Sequence, residues 1–213
     1  MTRTGNRSGV LVVLSAPSGT GKSTVARRVV ERVENLEFSI SLTTRLPRPG
    51  ERDGVHYYFV SEDEFRKQVD RGGFLEFASV FGKFYGTALE PTRRRLEAGS
   101  DLLVDIDVQG AGQVRCGPIP SISIMILPPD FPTLEARLRD RGSENEEEIQ
   151  VRLALARREA AQYTEFDYVV VNDELDATVE DVAAVIRAER LRAFRSQARV
   201  ESIVATFPDC GES

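Results

Sequence analysis

Lys22 and Ser23 close a run of small residues, A-P-S-G-T-G-K-S, set between an apolar stretch and a helix-forming one. Gly19 and Gly21 let the backbone curl until successive N–H groups point into one concavity. Lys22 adds a point charge for β and γ phosphates, and Ser23 offers a hydroxyl to Mg²⁺. The full phosphate-loop pattern would have glycine where Ala16 stands; the remaining G-x-G-K-[ST] is intact. Three of the chain's 28 basic residues are lysines, so a lysine inside this loop is not generic surface charge. Arg45 and Arg48 follow in a loop stiffened by Pro47 and Pro49, with Ser41 before it and Tyr57 and Tyr85 after it. Arginines held this way lose little entropy on meeting an anion, and their planar forks match phosphate oxygens. Asp105 and Asp107 end an apolar strand on one face, where a nucleotide cleft opens in parallel sheets and a carboxylate can hold Mg²⁺ through water. Arg137 and Arg141 share a helix face, and Arg152 follows beyond Gly142 and Ser143. Three such arginines could close over phosphates in transfer.

The elements that must position these groups read as follows. Val10–Leu14 is a buried strand, and a helix runs from Lys22 to about Val33. Phe38–Leu42 and Tyr57–Val60 alternate like strands. Ser61-x-x-Glu64 is a capping box opening a helix with Phe65 and Val69 on one face. Phe74–Val80 and Phe84–Tyr85 are further short strands, and 88–98 returns to helix. Leu102–Asp107, Ile122–Leu127 and Tyr168–Val171 are apolar strands. The helices between and after them are Thr133–Arg141, one from a Ser143-x-x-Glu146 capping box to about Tyr163, and Ala177–Arg195. The tail from Val200 shows no pattern and is expected to fray. Apolar strands alternating with helices make an α/β fold with a parallel sheet covered on both faces. The segment 39–95 breaks that rhythm and reads as a small inserted substrate module.

Composition narrows the classes. A chain of 213 residues with 41% hydrophobic content suits one α/β domain. A net charge of −6 argues against a general nucleic-acid binder. No apolar run approaches the ~18 residues of a membrane span, and Met1–Gly9 lacks the apolar core of a signal peptide. Cys116 and Cys210 form no C-x-x-C, so a reduced, cytoplasmic setting is the default. His56 is the single histidine, which disfavours a zinc site and Ser-His or Cys-His catalysis; it reads as a loop side chain.

Taken in order, A-P-S-G-T-G-K-S, S-L-T-T-R-L-P-R-P-G-E, F-L-E-F, Y-G-T, D-I-D-V-Q-G, R-L-R-D-R-G and V-V-N-D resemble guanylate kinase from about residue 10 to 195. The resemblance implies a phosphate-loop nucleoside monophosphate kinase fold with a small mixed β GMP-binding insert and a mobile helical lid. It implies one domain over 10–199: a core of 10–38, 96–136 and 161–199, a GMP module of 39–95 and a lid of 137–160. A disordered N-terminal tail would be 1–9, and a C-terminal tail 200–213. On the ATP side it places Ala16, Pro17, Ser18, Gly19, Thr20, Gly21, Lys22, Ser23 and Thr24, with Arg141 and with Asn172 beside the adenine. On the GMP side it places Ser41, Arg45, Arg48, Tyr57 and Tyr85 at the phosphate, and Glu76 at guanine with Thr87 and Asp107 contributing. Lys22, Arg45, Arg137, Arg141 and Arg152 would carry catalysis, with Ser23 and Asp105 toward Mg²⁺. The implied activity is ATP-dependent phosphorylation of GMP, and of dGMP, to supply guanine nucleotides. The partners are then small-molecule ATP and GMP, without nucleic acid or membrane, as a monomer or a homodimer. Two other readings stand beside it. One is a non-catalytic phosphopeptide-binding module of the same fold, and the other a kinase acting on a ribosyl bisphosphate.

Overall fold

Every residue of β1 (Leu11–Ser15) is buried, as a strand can be only when both faces of its sheet are covered. A computed structural model describes residues 7–80, 82–140 and 145–208. After β1 come α1 (Lys22–Arg32), β2 (Leu36–Phe38), β3 (Leu42–Thr43), β4 (Tyr58–Phe59), α2 (Glu62–Asp70), β5 (Phe74–Val80) and β6 (Lys83–Ala88). Then follow α3 (Leu89–Glu97), β7 (Asp101–Asp105), α4 (Val108–Arg115), β8 (Ser121–Leu127), α5 (Phe131–Arg139) and α6 (Glu146–Ala160). The last elements are β9 (Tyr168–Val171), α7 (Leu175–Glu189) and α8 (Gln197–Val204).

Five parallel strands in the order β2-β7-β1-β8-β9 form the main sheet. The period of two along β1 sorts its residues. Val10, Val12 and Leu14 pack with Val25, Val29, Val182 and Ile186 of α1 and α7. Leu11 and Val13 pack on the other face with Leu96 of α3 and Val108, Ala111 and Val114 of α4. Each fully buried aliphatic contributes about 1.5–3 kcal/mol. The fold is therefore the α/β, helix-flanked parallel sheet that the apolar strands announced.

The second sheet is mixed, in the order β4-β3-β6-β5. Its own small core is aromatic: Phe65 of α2 is 1% exposed and stacks on Phe74 at 4.4 Å and Phe84 at 5.4 Å between ring centroids. Leu75 of β5 belongs instead to the main core beside α4, which fastens this sheet to the other.

Several elements differ from the sequence reading. Phe38–Leu42 is not one strand: Phe38 ends β2 in the main sheet and Leu42 opens β3 in the second. β7 stops at Asp105, and Asp107 caps α4 by accepting from the Gly110 N–H at 2.7 Å. Asp105 and Asp107 thus do not share a strand face, and α4 was not expected. The capping box of α6 is Asn145 with Glu148; Ser143 lies outside the described residues. The last long helix ends at Glu189, and α8 forms where a frayed tail was expected. Arg7–Gly9, expected as tail, are tied down. Asp101, fully buried, accepts from Arg7 Nη1 and Nη2 at 2.7 and 2.8 Å, from Arg190 Nε at 2.7 Å and from the Val10 N–H at 2.7 Å. Gly9 C=O accepts from Arg195 Nη1 at 3.2 Å.

Candidate active site

The loop between β1 and α1 curls on two left-handed glycines, Gly19 at φ 91° and Gly21 at φ 94°. Space enforces glycine at both as well. A Cβ on Gly19 would lie 2.8 Å from the Leu138 side chain of α5, and one on Gly21 would lie 2.9 Å from Asn172 Nδ2. The loop opens into a pocket lined by Ala16–Thr24, Asp107 and Glu159. Asn172, just past β9, braces the loop from beneath. Its Nδ2 donates to Thr20 C=O at 2.7 Å, and its Oδ1 accepts from Thr178 Oγ1 at 3.1 Å. Both ends of that amide act on the loop and on α7; this is where the structure puts a residue expected beside the base.

Lys22 reaches across to the end of β7. Its Nζ donates to Ile106 C=O at 2.6 Å and pairs with Asp105 Oδ1 at 2.8 Å. Ser23 Oγ donates to Asp105 Oδ2 at 3.2 Å. The helices α5 and α6 sit against the loop: Arg137 Nη1 donates to Asn172 C=O at 3.1 Å, and Arg152 Nη1 donates to Ser18 Oγ at 3.2 Å. Leu134, Leu138, Ile149, Leu153 and Ala156 bind these two helices to each other. Arg141 and the expected bend at Gly142 lie outside the described residues.

A buried carboxylate stands against α4, the helix that Asp107 of the first pocket caps. Glu76 of β5 is 5% exposed and accepts from Thr87 Oγ1 at 2.6 Å. Burial pushes its carboxyl above the usual range; the Thr87 bond and Lys22 pull it down, and Asp107 pushes it up. Gly110 makes room for it, since a Cβ there would lie 3.0 Å from Glu76 Oε2. The arginine loop follows β3 of the second sheet. Glu51 grips Arg45 with both oxygens at 2.9 Å and accepts the Arg48 N–H at 2.7 Å. That pairing holds the Glu51 carboxyl down at about 2 and raises Arg45 further. Arg45 lies over the rings of Tyr57 at 5.3 Å and Phe59 at 5.9 Å, and Tyr57 meets Tyr85 edge-on at 6.0 Å. Ser41 C=O binds the Tyr58 N–H at 3.0 Å, which fixes the start of this loop. His56 is a loop residue whose Nδ1 accepts from the Arg52 N–H at 3.1 Å.

A family model described as guanylate kinase matches residues 8–189. The chain belongs to the guanylate kinase family. A guanylate kinase of Ruegeria pomeroyi is 46% identical over 200 residues, covering 93% of this chain and 94% of that protein. That of Escherichia coli K12 is 44% identical over 199 residues, covering 92% and 96%. The crystal structure of guanylate kinase from Anaplasma phagocytophilum superposes with a TM-score of 0.74 at 33% identity, covering 95% of this chain and 97% of that one.

Within this guanylate kinase fold the sequence-predicted residues fall into two groups. Lys22, Ser23, Asp105, Asp107, Arg137, Arg152 and Asn172 meet around the phosphate loop. Arg45, Tyr57 and Tyr85 meet on the second sheet, and Glu76 pairs with Thr87 beside Gly110 of α4. Glu51 and Glu159 carried no assigned role in the sequence reading. Glu51 ends the S-L-T-T-R-L-P-R-P-G-E string, so its signal was the string itself. Glu159 lies two turns beyond Arg152 on one face of α6, a spacing that could have marked it.

Proposed function

We propose that this enzyme transfers the γ-phosphoryl group of ATP to GMP, and to dGMP, giving ADP and the diphosphate. One observation carries the reading: the phosphate loop and the buried Glu76 converge on a single short segment, 105–110. Lys22 and Ser23 engage Asp105, Lys22 engages Ile106, Asp107 lines the loop pocket and Gly110 abuts Glu76. Two anionic substrates held by those groups meet end to end.

Guanine presents N1–H and N2–H₂ as adjacent donors, and an ionised Glu76 accepts both. Adenine has a bare N1 there, and the same carboxylate rejects it. Arg45 and Arg48, with Ser41, Tyr57 and Tyr85, take the GMP phosphate. That phosphate, with a second pKa of ~6, is mostly a dianion near pH 7, so it attacks without a general base. The protein's task is to align two polyanions and spread the charge in transit. Lys22, Arg45, Arg137, Arg141 and Arg152 supply that charge. The hydroxyl of Ser23 and the carboxylate of Asp105 form a hard oxygen pair that suits Mg²⁺. Among the described residues no three His, Cys, Asp or Glu side chains cluster, so such an ion fits as one carried in with nucleotide oxygens. Held there with ATP, it would neutralise phosphate charge. In this reading the insert 39–95 takes GMP and the helices within 137–160 form the lid. Among the described residues no helix is long and apolar enough to cross a membrane.

The test is a coupled assay of ADP formation with GMP, AMP, dTMP and CMP offered in turn. The reading expects turnover with GMP at least a hundredfold above the others. Equal use of AMP would overturn the role of Glu76. No ADP with any acceptor would favour a binding module.

A further inference from the structure

Glu159 lies on the last turn of α6, and its Oε2 accepts the Ser18 N–H of the phosphate loop at 3.3 Å. Two turns earlier, Arg152 of the same helix donates to Ser18 Oγ at 3.2 Å. One helix thus holds one loop residue by both its backbone and its side chain. The helix itself does not need Glu159. It has its own capping box at Asn145 and Glu148, and its own apolar face of Ile149, Leu153 and Ala156. The carboxylate is also poorly placed for its own sake. Burial and Asp107, which lines the same pocket, raise its pKa; the Ser18 N–H and Lys22 lower it. Lys22 is itself already engaged by Asp105 and Ile106 C=O. Ser18 and Glu159 both line the pocket, so this carboxylate meets a loop N–H where an incoming anion would be received.

We infer that Glu159 is a built-in stand-in for nucleotide phosphate, holding the Ser18 N–H until a polyphosphate enters the pocket and takes its place. ATP then frees the carboxylate end of α6 from the loop while Arg152, at the other end of the same face, turns to the new anion. This inference rests on the assignment of the pocket to ATP and adds to it a residue that works against ATP binding.

The experiment measures the Kd of ATP by calorimetry, without GMP, for the wild type and for Glu159→Gln, Glu159→Ala and Glu147→Gln. Removing a competing charge should tighten ATP about tenfold in both Glu159 variants. Glu147→Gln, an exposed loss of the same charge on the same helix, should leave Kd unchanged. In steady state the KM for ATP should fall in the Glu159 variants while the KM for GMP stays. The gap between wild type and variants should narrow at acid pH, as Glu159 takes up a proton beside Asp107, Lys22 and Arg152. If Glu159 only secures the loop, Gln will match the wild type and Ala will weaken ATP; that result overturns the inference and leaves the kinase reading standing. A wild-type chain that binds no ATP overturns both.

Discussion

Gln113 and Phe77 exchange the two hydrogen bonds of a strand pair, the Phe77 N–H donating to Gln113 Oε1 at 3.0 Å and Gln113 Nε2 donating to Phe77 C=O at 2.9 Å. A side-chain amide of α4 thereby takes the place of a neighbouring strand on β5, which is the edge of the second sheet. Together with Leu75 in the main core, it makes β5 the fixed side of the second sheet.

Replacing Gln113 by Leu should remove both bonds and leave the Phe77 backbone groups to water. The expected loss is about 1–3 kcal/mol in chemical denaturation. Hydrogen exchange at the Phe77 amide should rise more than at the β1 amides. Equal protection in the variant would show that the edge is held by packing alone.

Lys22→Ala should leave the fold intact, because its partners Asp105 and Ile106 C=O stay partly open to water. Turnover should drop by two to four orders of magnitude, roughly 3–5 kcal/mol of lost transition-state stabilisation. Unchanged melting with kinetics within tenfold of the wild type would contradict the role of the loop.

Glu76→Gln should weaken GMP use by ~2–4 kcal/mol in kcat/KM, since one guanine donor would face an amide N–H₂. ATP affinity should barely move. The pH dependence has a definite sign. The folded carboxyl titrates above its unfolded value, so the native state holds the proton longer. Stability from this group is lost as pH rises through the unfolded and then the folded pKa. Without ligand, Glu76→Gln should therefore melt higher than the wild type at neutral pH, with the two converging at acid pH. The KM for GMP in the wild type should rise on acidification earlier than an ordinary carboxylate would allow. A melting difference independent of pH would refute the assignment.

Glu51→Gln should slacken Arg45 and Arg48 together. GMP should be used about tenfold less well, with the KM for ATP unchanged, because an ordered guanidinium fork loses less entropy on binding. In the wild type the folded Glu51 pKa of about 2 lies below its unfolded value. Its contribution is present above the unfolded pKa and fades as pH falls toward about 2. A variant with unaltered GMP kinetics would show that the pair only shapes the loop.

Legibility from sequence followed how local the signal was. The phosphate loop could be read because glycines, lysine and flanking elements are contiguous. The helix α4 was hidden because Gly110 and Gly112 lower its helix propensity by about 1 kcal/mol each. Gly110 is there because Glu76, from another sheet, needs its space, and no local rule shows that. The Asn145 cap was missed because Ser143-x-x-Glu146 and Asn145-x-x-Glu148 overlap, and composition alone does not choose between them. Phe38–Leu42 reads as one strand because alternation is the same whether a segment stays in one sheet or passes between two. Asn172 was expected beside the base, and its bracing of the loop could not be read, since its partners Thr20 and Thr178 are known only from the fold.

The buried carboxylate of Asp101 receives arginines from both extremities of the domain, Arg7 and Arg190, while Arg195 reaches the backbone of Gly9. The segment before β1 and the segment just past α7 therefore meet at one carboxylate, at the foot of the strands whose opposite tips carry the phosphate loop. Loss of either segment would leave a buried carboxylate short of a cation, so residues 7–9 and the end of α7 are fastened jointly rather than each on its own.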